Sequence, residues 1–175
     1  MPAPRTEPPA ALQALTILLQ RDLDALRREI EAYPDERDLW REVPGIANVG
    51  GTLALHLAGN LQHYVGACLG GSGYIRDRPA EFTRRNVGRS ELLQEVEAAQ
   101  AAVNLAFAGL TEEQLIADFP ELISGSRVKT HDYLMHLSTH LAFHLGQLDY
   151  HRRIVTGSNT SVDPVRPPKR SSSVR

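Results

Sequence analysis

The chain has few of the features that mark secreted, disulfide-linked or membrane proteins. Its 175 residues contain a single cysteine, Cys68, so no disulfide can form within the chain. This is consistent with a reducing cytoplasm. The amino terminus lacks the apolar segment of a signal peptide, and no run of about 18 apolar residues could span a bilayer. We therefore expect a cytoplasmic protein without a membrane-spanning segment.

Basic residues are too few for a nucleic-acid-binding core. The formal net charge of the chain is −2. The segment after Gly157 carries four basic residues and one acidic residue, a charge of +3, so the rest of the chain has a charge of −5. Nucleic-acid binding needs a clustered basic surface. The mildly acidic part of the chain up to Gly157 does not offer such a surface, and we expect no nucleic-acid partner.

Strand-like alternation of apolar and polar residues is also missing. Apolar residues instead recur at intervals of three and four, which predicts long helices over residues 10–33, 48–69, 90–110 and 130–156. Four such helices indicate an all-α four-helix bundle. The long connections 35–51 and 72–89 favour a topology other than up-down-up-down.

The two ends of the chain differ in composition from this predicted bundle. Residues 1–9 contain four prolines, and residues 158–175 are rich in serine, proline and arginine without periodicity. Such segments bury little apolar surface. We expect a disordered lead-in at 1–9, a single bundle domain at 10–157, and a disordered basic tail at 158–175.

Several residues have the chemistry of helix ends. Ser90 and Thr130 are suited to cap the third and fourth long helices, and Thr111 to Gln114 has the form of a capping box. Gly157 is suited to end the last helix because glycine tolerates the left-handed conformation. The connection from 118 to 129 is expected to be a loop.

The last predicted helix carries five of the seven histidines. His136, His140 and His144 follow one another at intervals of four, and His151 lies seven residues further on. All four therefore share one stripe of the helix. Apolar residues border this stripe, which is unlike a solvated face. The pattern indicates that the fold needs these imidazoles inside it, and a metal ion is the first candidate.

Neutral imidazoles are good ligands for Zn²⁺, Ni²⁺ and Fe²⁺. Histidines four apart on a helix have Cβ atoms about 5–6 Å apart, so two rings can converge on one ion. A third ligand must come from another helix, and His56 is the natural donor. Three protein ligands leave one position open, as in catalytic sites. The alternatives are hydrogen-bonded core histidines or an exposed histidine pair that arose by chance.

Three segments of the sequence resemble the DinB-like superfamily, and more narrowly its DUF1572-type branch. They are HLAGN (56–60), RDRPAEF (76–82) and HLSTHLAFHLGQ (136–147), of which the HxxxHxGQ ending is the most specific. The resemblance covers about residues 10–157. It implies a DinB/YfiT-like four-helix bundle, commonly a homodimer. It also implies a divalent ion, zinc or nickel above all, bound by His56, His140 and His144.

Other polar residues on the two histidine-bearing helices are candidates for supporting roles. His136 and His63 could be alternative ligands, general bases or groups behind the ligands, although a polar residue that only lines the cavity is the commoner case. Asn60 and Gln147 each lie about one turn from a predicted ligand and could orient a ligand ring or bound water. Capping or interhelix hydrogen bonds are the alternative for both.

The connection before the third long helix is rich in arginine. Arg76 and Arg78 could bind an anionic substrate or a thiol cofactor, although a surface salt bridge is the commoner role. Glu81 could pair with one of them. Cys68 lies off the stripe of His56 and is expected to be a buried structural thiol. His151, near the end of the last helix, is expected to be structural and favoured as a cation there.

The resemblance implies a metal-dependent enzyme, since characterised members of the superfamily include thiol S-transferases, thiol-dependent isomerases and hydrolases. A metal acidifies a bound thiol or a bound water, so the three histidines would serve either reaction. No carboxylate base is obvious on the histidine stripes, which slightly favours transfer of a low-molecular-weight thiol. A hydrolase is one alternative.

The other alternative is a non-catalytic, dimeric metal-binding bundle with a role in stress response. Leu134, Leu141 and Leu145 form a second apolar strip on the last helix, away from the histidines. This strip could be a dimer seam, or it could pack on a neighbouring helix.

Overall fold

The computed structural model describes residues 9–163. Four long helices dominate it: α1 (Ala10–Glu31), α2 (Gly50–Leu61), α4 (Arg89–Gly109) and α6 (Thr130–Thr156). Two short helices, α3 (Arg78–Thr83) and α5 (Glu112–Ile116), lie in the connections, a 3-10 helix spans Glu36–Trp40, and a π-helical segment, Gln62–Ala67, continues α2. Between residues 9 and 163 the structure contains no strand beyond two isolated bridges in the loop before α6. The predicted all-α fold is confirmed.

The predicted lead-in and basic tail lie largely outside the described residues, which include only Pro9 of the first and 158–163 of the second. Across the described part of the chain, each helix is too short or too polar to cross a membrane.

The four long helices form a bundle in which chain neighbours are not always spatial neighbours. α1 packs against α4 and α6, and α2 packs against the same two helices. α1 and α2 therefore lie diagonally opposite each other. Consecutive helices are adjacent in an up-down-up-down bundle, so the predicted departure from that topology is correct. All twelve residues of α2 are buried, which makes it the most enclosed helix.

The core consists of the apolar stripes that the sequence predicted. The six apolar positions that define the stripe of α1 are at most 4% exposed: Leu12, Leu15, Leu19, Leu23, Leu26 and Ile30. On α6, Leu134, Leu141 and Leu145 are at most 3% exposed. That strip therefore packs against neighbouring helices in the core, and the alternative that it forms a dimer seam is wrong.

Two predicted helix caps are wrong by one or two residues. α4 begins at Arg89 with Gly88 as its N-cap, because the Gly88 carbonyl already accepts from the backbone amides of residues 91 and 92. Ser90 is therefore inside the helix. α6 begins at Thr130 itself, and Lys129 is the N-cap. Thr130 is only 1% exposed, since it packs inward, where its amide donates to the Ala117 carbonyl.

Other helix ends follow the predicted chemistry. The Thr111 hydroxyl accepts from the Gln114 amide at 3.2 Å, and the Gln114 side chain accepts from the Thr111 amide at 2.9 Å. This is the reciprocal capping box. Gly157 ends α6 with a φ of 67°, in the left-handed region. α1 ends at Glu31, two residues before the predicted end.

The far end of α6 is held by buried polar contacts. His151 is fully buried, its Nε2 donates to the Arg41 carbonyl at 2.9 Å, and its Nδ1 therefore accepts from the Tyr33 hydroxyl at 2.8 Å. Burial lowers the pKa of His151, outweighing the bond to Arg41 that raises it. His151 is structural, as predicted, but it is neutral rather than a cation stabilised by the helix dipole. Beside it, Arg152 pairs with buried Glu29 at 2.5 Å.

Candidate metal centre

The bundle brings together the three histidines that were predicted to bind a metal. His56 lies in the middle of α2, and His140 and His144 lie one turn apart on α6. Their ring centroids are 5.1 Å apart for His56 and His140, 5.4 Å for His56 and His144, and 4.5 Å for His140 and His144. One ring nitrogen from each lies within 4.8 Å of the others. The three imidazoles thus face a common point.

The spacing of the nitrogens fits a small dication. His56 Nε2 and His140 Nε2 are 3.3 Å apart. Two nitrogens bound at 2.0–2.1 Å to a tetrahedral zinc ion lie about 3.3–3.4 Å from each other. Burial and then the neighbouring His144 lower the pKa of His140 to about 4. The His140 ring is therefore neutral at pH 7, which is the form that binds a metal.

Hydrogen bonds on the far side of two rings orient them toward this point. His56 Nδ1 contacts Glu81 Oε2 at 2.9 Å, and His144 Nδ1 donates to the Gln147 side-chain oxygen at 2.7 Å. A carboxylate or carbonyl at Nδ1 holds the proton there and leaves the Nε2 lone pair for a metal. Gln147 thus has the geometry of the orienting role expected for it. His140 Nδ1 is buried and has no partner among residues 9–163.

Glu81 reaches His56 because of two local features. Asp77 caps the short helix α3 by accepting from the Ala80 amide at 3.0 Å, which sets the direction of Glu81. Gly59 lies beside the carboxylate, and a Cβ at that position would come within 2.5 Å of Glu81 Oε1. Only glycine therefore leaves room for this approach. Arg76 donates to both carboxylate oxygens, at 2.6 and 2.8 Å.

The electrostatics of this group keep Glu81 ionised. Burial alone would raise the pKa of Glu81, but the hydrogen bonds from Arg76 and His56 outweigh it, and the pKa is lowered. Burial tends to lower the pKa of Arg76, yet Glu81 raises it. The guanidinium of Arg76, the carboxylate of Glu81 and the imidazole of His56 therefore form one hydrogen-bonded group. It stabilises the proton on His56 Nδ1.

The three rings line a cleft of about 480 Å³. That volume is within the range of small-molecule pockets. Its other walls come from α2, the segment around α3, the loop before α6, and α6: Asn60, Tyr64, Arg76, Arg78, Phe82, Ile123, Ser124 and Tyr133. The Arg76 guanidinium lies 5.4 Å from the Tyr64 ring centre, and the Arg78 guanidinium lies 5.1 Å from that of Phe82. The cleft thus combines aromatic walls with two cations.

The remaining predicted residues divide between this cleft and other surfaces. Asn60, Arg76 and Arg78 line it. His136 is exposed and stacks on Tyr133 at 5.7 Å, so it stands beside the cleft rather than within the histidine cluster. His63 lies against Cys68 and Glu121 instead, outside the cleft lining.

Sequence reasoning missed the part that Glu81 plays, since it treated this carboxylate only as an ion-pair partner. It also missed the aromatic walls from Tyr64 and Phe82. One signal could have revealed the position of Glu81. Asp77 followed two residues later by Pro79 is typical of a helix start, which would have placed Glu81 on a short helix rather than on an irregular loop.

A helical bundle with histidines from two helices around one cleft is the architecture of the DinB-like class, and the predicted resemblance to that superfamily is confirmed. Within it, the chain belongs to the mycothiol-S-transferase family, whose family model matches residues 14–157. The narrower DUF1572-type resemblance stays a prediction. A comparison with curated proteins found no match.

Proposed function

We propose that this protein is a divalent-metal-dependent thiol S-transferase that joins mycothiol, or a similar low-molecular-weight thiol, to an electrophilic small molecule. The observation that carries the proposal is the cluster of His56, His140 and His144 at the wall of a 480 Å³ cleft. Membership of the mycothiol-S-transferase family supports the choice of thiol. We propose these three histidines as the ligands of zinc or nickel.

Each part of the cleft has a role in this reaction. A dication bound by the three imidazoles would lower the pKa of a coordinated thiol and so favour the thiolate nucleophile at neutral pH. Arg78 is exposed at the cleft and can attract anionic groups of either substrate. Tyr64 and Phe82 offer apolar surface to an electrophile. In the overall reaction the sulfur forms a bond to carbon, the leaving group departs with its bonding electrons, and the thiol proton passes to solvent.

The surroundings of the cluster favour this reaction over the two alternatives. Hydrolysis needs a base for water, but Glu81 is engaged by Arg76 and His56, and its lowered pKa makes it a weak base. Glu81 lies behind His56 rather than in the wall of the cleft, and no carboxylate lines the cleft in the described part of the chain. A purely structural site closes around its metal with a fourth protein ligand. Within residues 9–163, the cluster offers three potential ligands and adjoins a cleft.

The test is a thiol-transfer assay on zinc-loaded and nickel-loaded protein, with mycothiol as the thiol and monochlorobimane as the electrophile. Substitution His140→Ala removes one of the proposed ligands and should reduce activity more than about 100-fold. Removing a residue that only hydrogen-bonds to a metal ligand already costs up to about 100-fold. His131→Ala is the matched control, since His131 is an exposed histidine of the same helix. Full turnover in His140→Ala would refute the proposal.

A homodimer and a cytoplasmic location also remain proposals. The Leu134, Leu141 and Leu145 strip is buried and cannot form the interface. Phe143, Tyr150 and Ile154 are the exposed apolar side chains that share another face of α6 at intervals of seven and four. They are the surface that a dimer through α6 would bury, and light scattering of the purified protein measures whether it forms.

A further inference from the structure

A second group of side chains with donor atoms for a metal lies beyond the carboxyl end of α2, outside the lining of the cleft. His63 belongs to the π-helical extension of α2, Cys68 follows the end of that extension, and Glu121 belongs to the loop before α6. His63 Nε2 is 3.1 Å from Glu121 Oε2 and 3.9 Å from Cys68 Sγ. One ligand atom from each residue lies within 4.8 Å of the others. The proposed thiol-transfer function does not use this group.

A local change of helix type brings His63 and Cys68 together. In a regular α-helix, residues five apart point about 140° away from each other. Here the segment Gln62–Ala67 is π-helical, and the Cys68 amide donates to the His63 carbonyl at 3.0 Å. The wider π turn brings residues five apart closer to the same face of the helix. Such segments are rare and are frequent at functional sites.

We propose that His63, Cys68 and Glu121 form a second binding site for a divalent metal ion, with zinc as the ion that fits the donor set best. Thiolate sulfur, imidazole nitrogen and carboxylate oxygen are the donors that zinc uses in proteins. A thiolate and a carboxylate together neutralise the charge of a dication. Three protein ligands leave the fourth position for water.

The site is accessible to an ion. The side chain of His63 is 22% exposed, that of Glu121 is 47% exposed, and Cys68 is partly buried. Burial, together with Glu121, raises the pKa of Cys68 to about 12 in the absence of a cation. Binding therefore releases a thiol proton, and affinity increases with pH.

The geometry argues against a nucleophilic Cys–His–Glu triad. In such a triad the carboxylate contacts one ring nitrogen and the nucleophile contacts the other. Here Cys68 and Glu121 both face Nε2 of His63. The Nδ1 atom is buried and has no partner within residues 9–163. Convergence of all three groups on one point is the arrangement of a metal site.

An ion at this site would connect two parts of the cleft wall. Glu121 lies two residues before Ile123, which lines the cleft together with Ser124, and His63 precedes Tyr64, which also lines it. Coordination through Glu121 would tie the loop 117–129 to α2. The missing partner at His63 Nδ1 reduces the expected affinity, since partners behind a ligand contribute about 10–100-fold.

Cobalt spectroscopy distinguishes this site from the three-histidine cluster, because only this site contains sulfur. Full-length protein, kept reduced with a phosphine rather than a thiol, is loaded with Co²⁺. We expect two ions per chain and a thiolate-to-cobalt charge-transfer band in the near ultraviolet. Cys68→Ser should remove the band and one ion. His140→Ala should remove one ion and leave the band.

Glu121→Gln gives a second, conservative test, since it removes the carboxylate charge at an exposed position. It should raise the dissociation constant of Co²⁺, measured by titration of the charge-transfer band, by at least about tenfold. The helical circular dichroism should be unchanged. Absence of a charge-transfer band at saturating Co²⁺, or a band that persists in Cys68→Ser, would overturn the proposal. Both results leave the proposed transferase intact, because it depends on His140 and not on Cys68.

Discussion

Replacement of Glu81 by glutamine tests whether this buried carboxylate acts on metal affinity through His56. Glutamine has the same shape and can still accept the Nδ1 proton, but it carries no charge. Glu81 and His56 are 6% and 7% exposed in their side chains, so solvent screens their interaction little. A hydrogen bond to a charged partner contributes about 1.5–3 kcal/mol, against about 0.5–1.5 kcal/mol for a neutral pair.

The expected loss of zinc affinity in Glu81→Gln is about 10–100-fold, the usual effect of removing a partner behind a metal-bound histidine. In free energy this is about 1.4–2.8 kcal/mol, which overlaps the range for the charged hydrogen bond. The physical reason is that a carboxylate makes the His56 ring a stronger electron donor, whereas an amide does so less.

The assay is competition with a chromogenic zinc chelator at pH 7. The matched control is Glu91→Gln, which removes the carboxylate of an exposed pair with Arg84 and should leave zinc affinity unchanged. Glu81→Gln will also lower the melting temperature, because Arg76 is only 8% exposed in its side chain and loses its partner. A purely structural role would change the melting temperature alone, so an unchanged zinc affinity would refute the reasoning.

Two further predictions concern stability. Burial and His144 lower the pKa of His140 from 6.5 to about 4 in the metal-free protein, so its contribution to stability is complete above about pH 6.5 and is lost as the pH falls toward 4. Between pH 6.5 and about 4, urea unfolding should show a smaller decrease in unfolding free energy for His140→Gln than for wild type. Equal decreases would contradict this prediction. In Arg152→Met the fully buried Glu29 loses its cation. Because burial raises the pKa of Glu29 to about 7 even beside Arg152, the carboxyl takes up a proton, and the variant should lose about 1–3 kcal/mol in urea unfolding, as for a buried polar group left without its partner. Arg153→Met, at a half-buried pair, should lose much less unfolding free energy. Similar losses in the two variants would argue against a contribution of the buried pair to stability.

The helices were predictable from sequence because their signal is local. The leucines of α1 recur at three and four and are all buried, and the capping box at Thr111 forms as predicted. Helix starts at Ser90 and Thr130 were placed wrongly for a different reason. A side chain can cap a helix only if its own residue has non-helical, extended backbone dihedrals, as Gly88 and Lys129 do here. Tertiary contacts decide which residue adopts them.

The candidate site was predictable only in part. The interval of four between His140 and His144 already places both rings on one side of α6. The residues that hydrogen-bond to the histidine rings differ in how predictable they were. Gln147 lies three residues from His144 on the same helix, within reach of a local argument. Glu81 is 25 residues from His56 in sequence, and nothing local relates the two.

The sequence by itself determined the helices, the stripe of imidazoles and the apolar faces, since helical periodicity acts over a few residues. Only the tertiary structure decided that α2 faces α6, that Gly59 admits Glu81 to the ring of His56, and that a π turn brings His63 and Cys68 together. These features depend on packing between segments that are distant in the chain and on a local change of helix type. Contacts of that kind exist only once the whole bundle has closed.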